Sequence, residues 1–363
     1  MTTAARPVRP RRSERPVVAV TGAADGLGRA LAARLAGCAE VRKVVAVDAE
    51  RGDVPGVTWR LADVTDPEVA GRFAGVDVVV HLAVDQDLSS PADDRSMTNV
   101  RGTQAVLTGA AASGVRRVVL CTSAAVYGAR EDNPVPLEED APLRALPDGA
   151  LVADFLEIER LAETAPRSHP GLTVTVVRPA ALVGPGVDSI VTRHFEAPRL
   201  LVVRGSHPRW QFCHVDDLVA ALELVALGRV TGAVTAGCEG WLEQPEVEAL
   251  TGQHRVELPA RVALGTAERL HRIGVIPAAA SDLSYLMHPW VVSSARLREA
   301  GWRPTYDNAE ALRALLDEVS GHHALGTRRV GRRDAAVGAA GATVAVFGTA
   351  ALVRRARKRR RRS

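Results

Sequence analysis

Three glycines near the start of the chain have the spacing that lets a phosphate group approach the backbone. Gly22, Gly26 and Gly28 follow the apolar run 17–20, which predicts a buried strand that ends in a tight glycine turn. The helical pattern over residues 29–35 then directs free N–H groups and the positive end of a helix dipole at the turn. Strand, glycine loop and helix in this order predict a dinucleotide site, although glycine spacing alone also occurs in ordinary turns.

An acidic residue follows the glycines at the distance expected of a ribose-binding carboxylate. The run KVVAVD predicts a second buried strand that ends in Asp48, about twenty residues beyond Gly28. A carboxylate there accepts hydrogen bonds from the ribose hydroxyls of NAD and repels the 2′-phosphate of NADP, so NAD is the expected cofactor and NADP the less favoured one. The alternative is a turn-forming Asp at a strand end, and the nearby Arg51 weakens the case for strict NAD specificity.

Strand and helix patterns continue to alternate after Asp48. Residues 57–61, 77–83 and 118–121 predict further strands, and residues 99–114 predict a helix between the last two. This alternation predicts an α/β fold with a Rossmann-type, doubly wound parallel sheet. Ligands of such sheets bind beyond the carboxyl ends of the strands, so the residues at those ends are expected to lie on one edge.

A series of short stretches along residues 17–320 resembles one enzyme family. They are TGAADGLG, VVAVD, ADVTD, DVVVHLA, NVRGT, TSAAVYG, VVRPAALVGPG, QFCHVDDLVAAL and LREAGWRPTY. In this order the chain resembles the extended short-chain dehydrogenases/reductases, the NAD-dependent epimerase/dehydratase family that includes nucleotide-sugar epimerases. One departure is that Gly26 stands one position later than the family's middle glycine. Asp25 fills the usual position, close to where a pyrophosphate would lie.

The resemblance implies roles for individual residues. Ser123, four residues before Tyr127, matches the family's catalytic hydroxyl, and its alternative role is to cap a backbone group at a strand end. The positions implied for cofactor binding are Gly22, Asp25, Gly26, Leu27 and Gly28 at the pyrophosphate, Asp48 at the ribose, Asp63 and Val64 at the adenine, and Leu82, Ala83, Asn99 and Thr122 along the rest of the cofactor.

The family's proton-transfer pair is missing from this chain. The resemblance implies a Tyr and a Lys four residues apart on one helix face, where the Lys lowers the phenol pKa so that a proton and a hydride can leave the substrate. Leu151 and Phe155 occupy those two positions. No Tyr occurs between Tyr127 and Tyr285, and no Lys between Lys43 and Lys358, so no shift in alignment restores the pair.

Two functions therefore remain open at this point. One is hydride transfer on a nucleotide sugar or related alcohol, with Asp154, Ser123 or Tyr127 replacing the missing pair. The other is a non-catalytic NAD-binding sensor or scaffold. Affinity for NAD without turnover would favour the sensor or scaffold, whereas turnover would favour hydride transfer.

The second half of the chain predicts a smaller substrate lobe. Residues 184–200 and 228–300 interrupt the alternation of strand and helix. Four arginines are candidates for contacting a diphosphate, with solvated surface as the alternative: Arg178, Arg193, Arg204 and Arg209. The segment from His214 to Asp217 predicts a helix start capped by an Asp, which is a structural role.

Charge is distributed unevenly along the 363 residues, whose net charge is +4. Residues 1–16 carry five Arg and one Glu, and residues 328–363 carry eleven Arg, one Lys and one Asp, so the two ends contribute +4 and +11 and the body −11. An acidic body with basic ends predicts no nucleic-acid partner. The first segment lacks an apolar stretch and predicts a disordered arm rather than a signal peptide.

The four cysteines, which are far apart, show no metal-binding spacing. They predict buried structural thiols in a reducing compartment and no metal site.

An uncharged segment lies between the C-terminal arginine clusters. Residues 335–353 would span ~28 Å as a helix, which is close to the thickness of a bilayer core. We expect residues 328–363 to form a transmembrane or membrane-surface anchor for a cytoplasmic domain over residues 17–327, with a buried Ala/Gly-rich helix as the alternative. The expected partners are a nucleotide-sugar-like or other small molecule, membrane lipid and, as an open alternative, a second copy in a homodimer.

Overall fold

The computed structural model of the protein describes residues 15–88, 90–148, 151–197, 199–272 and 279–324. The strands are β1 Val17–Thr21, β2 Lys43–Asp48, β3 Thr58–Leu61, β4 Val78–His81, β5 Arg117–Cys121, β6 Thr173–Pro179, β7 Ala181–Val183, β8 Leu200–Arg204, β9 Arg209–Trp210, β10 Phe212–His214, β11 Gly232–Ala236, β12 Leu242–Glu243 and β13 Arg255–Pro259. The α-helices are α1 Gly26–Gly37, α2 Ala92–Ser96, α3 Gly102–Ala112, α4 Leu151–Ser168, α5 Ile190–Glu196, α6 Val215–Ala226, α7 Gln244–Thr251, α8 Ala260–Arg272, α9 Ala295–Glu299 and α10 Asn308–Ala324. Short 3₁₀ helices cover Pro67–Phe73, Ala124–Tyr127 and Ala280–Leu286, and a π-helical turn covers Met97–Arg101.

Seven parallel strands form the main sheet in the order β11-β6-β5-β4-β1-β2-β3. The central strands are Val-rich and buried along nearly their whole length, as expected when helices cover both faces of a sheet. Leu35 of α1 and Leu222 of α6 pack into the core on one face, and Val106 of α3 and Ile158 of α4 pack into the core on the other. The predicted doubly wound α/β fold is confirmed.

The order of the strands places a crevice beside β1. The chain runs outward from β1 to β2 and β3, and then crosses to β4 on the other side of β1. Ligands of open α/β sheets bind at such a switch point, outside the carboxyl ends of the strands. The loops that follow β1, β2, β4 and β5 therefore define the region where a cofactor would bind.

Two predicted helix starts differ from those observed. Helix α1 begins at Gly26, three residues earlier than the pattern from residue 29 predicts, because glycines conceal the first turn from an apolar periodicity. The helix predicted over 99–114 is a π-helical turn followed by α3, so Asn99 lies in the wider turn. π-helical turns within helices frequently occur at functional sites.

The smaller lobe is built from three strand pairs and adjoining helices. Strand β8 pairs with β13 in parallel, β7 pairs with β10, and β9 pairs with β12. The range 228–300 predicted for this lobe includes β11, which instead forms an edge of the main sheet by pairing with β6. A five-residue strand with a glycine at its start gives too short a signal to be separated from the surrounding lobe.

Helix α10 closes the described part of the chain and packs against β10, α5 and α7. Within the described ranges no helix combines the length and apolar character needed to cross a membrane. The segment 335–353, for which a membrane anchor is predicted, and the basic arm at residues 1–14 lie outside the described residues.

Candidate functional site

The three glycines of the first loop have different structural roles. Gly22 has a φ of +69°, and a Cβ there would lie 2.7 Å from the backbone nitrogen of Ala83. A Cβ on Gly28 would lie 1.8 Å from the carbonyl oxygen of Gly22. Gly26 has a φ of +47°, and no described atom lies within 4 Å of its Cβ position. Gly22 and Gly28 therefore allow close internal packing, and Gly26 leaves backbone open to a ligand.

The N-terminus of α1 is available to an anion. Asp25 is the N-cap residue, and its exposed side chain forms no capping hydrogen bond to the described residues of the first turn. Backbone N–H groups at such a helix end bind phosphate oxygens well. Leu27, in the same turn, lines the cavity described below. Arg29 forms an ion pair with Asp53, with 2.6 Å between Nε and Oδ1, so its charge is already matched.

Asp48 joins the end of β2 to the glycine loop. Its Oδ2 accepts a hydrogen bond from the backbone N–H of Ala24 at 2.9 Å. The N–H of Gly22 donates to the carbonyl of Val47 at 3.0 Å, which ties the same two segments together. The carboxylate thus lies beside the loop, half-buried, where a ribose next to the pyrophosphate would be.

The residues after β3 form a turn with its own internal hydrogen bonds. Oδ1 of Asp63 accepts from both the backbone N–H and the hydroxyl of Thr65, each at 2.8 Å. Val64 is buried, and a Cβ on Gly102 would lie 3.0 Å from its Cγ2. Asp66 caps the 3₁₀ helix that begins at residue 67 by accepting from the N–H of Glu68.

The residues after β4 are held by a buried hydroxyl. The N–H groups of Leu82 and Ala83 donate to Thr21 Oγ1 at 3.2 and 3.3 Å. His81 Nδ1 lies 2.7 Å from the same oxygen, and its Nε2 lies 3.1 Å from Thr103 Oγ1. Burial lowers the pKa of His81 to about 4. His81 is therefore a neutral packing residue, and Leu82 and Ala83 keep half-exposed side chains at the edge.

Asn99 is fully buried and holds the loop after β4. Its Oδ1 accepts from the N–H of Asp85 at 2.7 Å, and its Nδ2 donates to the carbonyl of Asp85 at 2.9 Å. Nδ2 also donates to Oδ2 of Asp154 at 3.1 Å. The same oxygen of Asp154 accepts from Nε of Arg95 at 2.9 Å. The carboxylate of Asp154 is thus engaged by an arginine and an amide.

A second buried network involves Thr122 and Tyr127. The hydroxyl of Thr122 donates to Glu159 at 2.7 Å. Arg178 forms a two-pronged ion pair with Glu159, with distances of 2.9 and 2.8 Å, and it also donates to the phenol oxygen of Tyr127 at 2.8 Å. The phenol donates in turn to the carbonyl of Glu139 at 3.1 Å. Burial raises the pKa of Tyr127, so this phenol is a structural hydrogen-bonding group.

The structure shows the capping role that is one of the two predictions for Ser123. Its Oγ accepts from the N–H of Ala125 at 3.1 Å and caps the 3₁₀ helix that follows. The residue also lines a cavity of about 110 Å³ at the carboxyl edge of the sheet. Capping uses a lone pair of the oxygen and leaves its O–H group as a donor.

The cavity includes both positions at which the family resemblance implies a Tyr and a Lys. Leu151 and Phe155 lie one turn apart on α4 and both line it, together with Ser123. The remaining walls come from several parts of the chain: Leu27, Gln86, Leu88, Cys121, Thr122, Ala125, Val152, residues 179–182 and 187–191, Leu218, Asp282, Tyr285 and Trp290. The structure thus brings together the glycine loop, the end of β5 and the start of α4, as the resemblance implies.

The wall formed by residues 282–290 could not be anticipated from the sequence. Asp282, Tyr285 and Trp290 lie more than 120 positions beyond Phe155, in a region without regular periodicity. Tyr285 is fixed by a hydrogen bond from its hydroxyl to the carbonyl of Ala125 at 2.8 Å. Burial raises the pKa of Asp282 to about 6.

Each arginine considered for a diphosphate is paired with a carboxylate. Arg193, like Arg178, forms a two-pronged ion pair, because its Nε and Nη2 lie 2.6 and 2.5 Å from the two oxygens of Asp188. The full set of pairs is Arg178 with Glu159, Arg193 with Asp188, Arg204 with Glu257, and Arg209 with Glu243. The structure therefore shows no unmatched guanidinium among these four residues.

The segment from His214 to Asp217 is structural, as predicted, but its cap differs. His214, rather than an Asp, caps α6 by accepting from the N–H of Asp216 through Nδ1 at 3.2 Å. Its ring stacks on Tyr306 with 3.9 Å between centroids. The carboxylate of Asp217 accepts from the N–H groups of Thr305 and Tyr306 at 2.7 and 3.1 Å. These contacts dock the C-terminal stretch onto the start of α6.

Known proteins are similar to this chain in sequence or in fold. An uncharacterised protein from Mycobacterium tuberculosis is 29% identical over 309 residues, which cover 81% of this chain and 82% of that protein. A dTDP-glucose 4,6-dehydratase from Streptomyces griseus is 29% identical over 273 residues, or 72% and 77% of the two chains. The structure of UDP-glucose 4-epimerase from Thermus thermophilus in complex with NAD aligns with a TM-score of 0.62 at 20% identity, covering 84% of this chain and 99% of that one.

A family sequence model accounts for the elements that form the site. The model described as "NAD dependent epimerase/dehydratase family" matches residues 18–233, which is more than half of the chain. The match includes the glycine loop, Asp48, Ser123 and the start of α4. Because this match covers more than half of the chain, the chain belongs to the NAD-dependent epimerase/dehydratase family.

Proposed function

We propose that this protein binds NAD across the carboxyl edge of the main sheet and acts as a sensor or scaffold rather than as a hydride-transfer enzyme. The observation that carries the proposal is the pair Leu151 and Phe155, which line the cavity where the family resemblance places the proton-transfer pair. An apolar side chain at each position provides neither a proton nor a charge.

The glycine loop and Asp48 support NAD as the ligand. The open backbone at Gly26 and the uncapped N–H groups of α1 suit a pyrophosphate. The carboxylate of Asp48 suits the two ribose hydroxyls and disfavours a 2′-phosphate, which supports NAD over NADP. When bound, NAD would supply a hydride acceptor.

The alternatives for proton transfer are occupied by other contacts. Asp154 is paired with Arg95, and Tyr127 is buried against Arg178. Ser123 remains at the cavity, but a serine needs an adjacent base to give up its proton at neutral pH. Its oxygen accepts a hydrogen bond from the backbone N–H of Ala125, which is a donor and not a base. These contacts favour binding without turnover.

Hydride transfer on a nucleotide sugar or related alcohol is the second function. The similar Streptomyces protein is a dTDP-glucose 4,6-dehydratase, and the similar Thermus protein is a UDP-glucose 4-epimerase. Ser123 at the cavity is the feature of this chain that favours such an activity. The enzyme hypothesis requires NADH to form when substrate and NAD are present together.

Two further proposals concern partners. Residues 328–363 would attach a cytoplasmic domain to a membrane, because an uncharged stretch lies there between arginine clusters. The second proposal is that two copies of the chain form a homodimer.

Calorimetric titration of the full chain with NAD and with NADP tests the main proposal. We expect NAD to bind, Asp48→Ala to weaken it at least tenfold, and no NADH to form with UDP-glucose or dTDP-glucose. Glu40→Ala is the matched control, because Glu40 is an exposed acid that precedes β2, at the opposite end of that strand from Asp48. Absence of NAD binding by the unmodified protein would overturn the proposal, and steady NADH formation would replace it with the enzyme function.

A further inference from the structure

We infer that the cavity beside Ser123 binds an uncharged, largely apolar molecule that carries a hydroxyl or carbonyl oxygen, and that it does not bind a nucleotide sugar. The inference deepens the proposed function, because it names the class of molecule that would lie next to NAD. It concerns the cavity walls and does not depend on how tightly the cofactor binds.

Apolar side chains form most of the cavity wall. Leu27 contributes from the glycine loop, and Leu151 and Phe155 contribute from α4. Ile190 and Trp290 lie among the residues of the other lobe that line it. Burying such surfaces against a hydrocarbon ring or chain is favourable, at about 25 cal/mol per Å² of apolar area removed from water. A sugar would instead leave several hydroxyls without partners against these walls.

The charge of the lining argues against a diphosphate. Among the described residues that line the cavity none is Lys, Arg or His, and the two ionisable acids are Asp188 and Asp282. Asp188 is already paired with Arg193, so that guanidinium is committed to a carboxylate. The residues in the gaps of the described chain, 89, 149–150, 198 and 273–278, include no charged residue. A phosphate group that entered the cavity would therefore have no counter-charge, which is strongly unfavourable, and a nucleotide sugar would have to leave its diphosphate outside this volume of about 110 Å³.

Ser123 and Asp282 provide the oxygen-binding end, and Gln86 and Ser189 are further polar residues of the lining. The O–H of Ser123 remains a donor after its oxygen accepts from Ala125. Asp282 uses Oδ2 to accept from the N–H of Ala279 at 3.2 Å, and burial raises its pKa to about 6, so the carboxylate predominates at pH 7. A carboxylate oxygen can accept a hydrogen bond from a hydroxyl group of the bound molecule.

The size of the cavity sets the size of a probe. A volume of about 110 Å³ is slightly below that of an apolar cavity of about 150 Å³ known to bind benzene. The cavity is partly open to solvent, so a six-membered ring with one hydroxyl group, slightly larger than benzene, can place its ring against the apolar walls and its hydroxyl at the polar end. Cyclohexanol is therefore the probe, and UDP-glucose is the charged comparison.

Calorimetric titration of the full chain with each probe, with and without saturating NAD, tests the inference. We expect cyclohexanol to bind in the millimolar range, about 1 mM, and UDP-glucose to give no binding heat. Leu151→Lys, at a half-buried position, should weaken cyclohexanol at least tenfold. Val262→Lys is the matched control, because Val262 is 45% exposed on α8. This variant should bind cyclohexanol as the unmodified protein does.

A second variant separates the polar anchor from folding. Ser123→Ala should weaken cyclohexanol several-fold and leave the affinity for methylcyclohexane, which has no hydroxyl, unchanged. Failure of the unmodified protein to bind cyclohexanol in both conditions, or binding of UDP-glucose, would overturn the inference. Loss of cyclohexanol binding on adding NAD would also overturn it, since the cavity would then be the nicotinamide position alone. NAD affinity is read in the same titrations, so failure of the proposed function is seen separately.

Discussion

Arg95 and Asp154 form a buried ion pair beside the first turn of α4, with 2.9 Å between Nε and Oδ2 and each side chain only 7% exposed. The pair fixes the residue immediately before Phe155. Among the described residues of this turn, Leu151, Val152 and Phe155 line the cavity and Asp154 does not. The ion pair thus orients the helix so that its apolar positions, rather than its carboxylate, form the cavity wall.

Removing one partner of this pair should strongly destabilise the fold. Arg95→Met leaves the carboxylate of Asp154 buried with an amide as its remaining contact, and we expect a loss of about 3–5 kcal/mol in the free energy of unfolding. Urea denaturation measures it. The double variant Arg95→Met/Asp154→Leu should recover much of the loss, because no unpaired charge remains. A double variant as unstable as the single one would show that packing, rather than the ion pair, holds this turn.

The carboxyl of Asp282 should make stability depend on pH. Burial raises its pKa from 3.8 to about 6, with Asp148 acting in the same direction and His271 and Arg95 against it. The folded protein then binds the proton more tightly than the unfolded chain, so stability from this group is full below pH 4 and is lost as the pH rises through about 6. Two pKa units correspond to about 3 kcal/mol at most.

Comparison with Asp282→Asn isolates this effect from the other titrating groups. Urea denaturation at pH 4 and pH 7 should show that the variant gains stability relative to the unmodified protein as the pH rises. A constant difference between the two proteins would show that Asp282 titrates normally.

The glycines of the first loop should separate packing from ligand binding. Gly22→Ala places a Cβ 2.7 Å from a backbone nitrogen at a positive φ, so we expect a loss of several kcal/mol in stability. Gly26→Ala meets no described atom within 4 Å, so it should cost about 1–2 kcal/mol from its φ alone. Its main effect should be on NAD, with at least tenfold weaker binding in calorimetry. Equal NAD affinity for Gly26→Ala and the unmodified protein would contradict the role assigned to this backbone.

The C-terminal segment should determine membrane association. We expect the full chain to float with vesicles of phosphatidylcholine and phosphatidylglycerol, and a chain that ends at residue 327 to remain in the soluble fraction. Flotation at high salt separates apolar insertion, which persists, from arginine attraction to anionic lipid, which is screened. Flotation of the shortened chain would place the membrane contact elsewhere.

The parts of the site that local patterns encode could be predicted from the sequence. Gly22, Gly28 and Asp48 follow Val-rich strands directly, so their position at one edge follows from the parallel sheet. The family resemblance assigned Leu151 and Phe155 to the positions of the Tyr and the Lys, and their spacing of four residues predicts that they lie on one helix face. Helix α1 was predicted to start too late because glycines carry no apolar periodicity.

Other features depend on contacts between distant residues, and single-sequence patterns do not encode them. Arg178 and Glu159 are 19 positions apart, and nothing in the sequence distinguishes them from solvated charges. Asp282 reaches the cavity from a region without a motif, and β11 joins the main sheet from within a stretch predicted to belong to the lobe. Such features arise when the chain folds back on itself over long separations.

Helix α4 is anchored by two buried ion pairs, one at Asp154 and one at Glu159. Neither pair uses position 151 or 155, where the family resemblance implies the proton-transfer residues. The residues that hold the helix in place are therefore different from the two that line the cavity. Substitutions at 151 and 155 can change the chemistry of the cavity surface while the helix stays anchored.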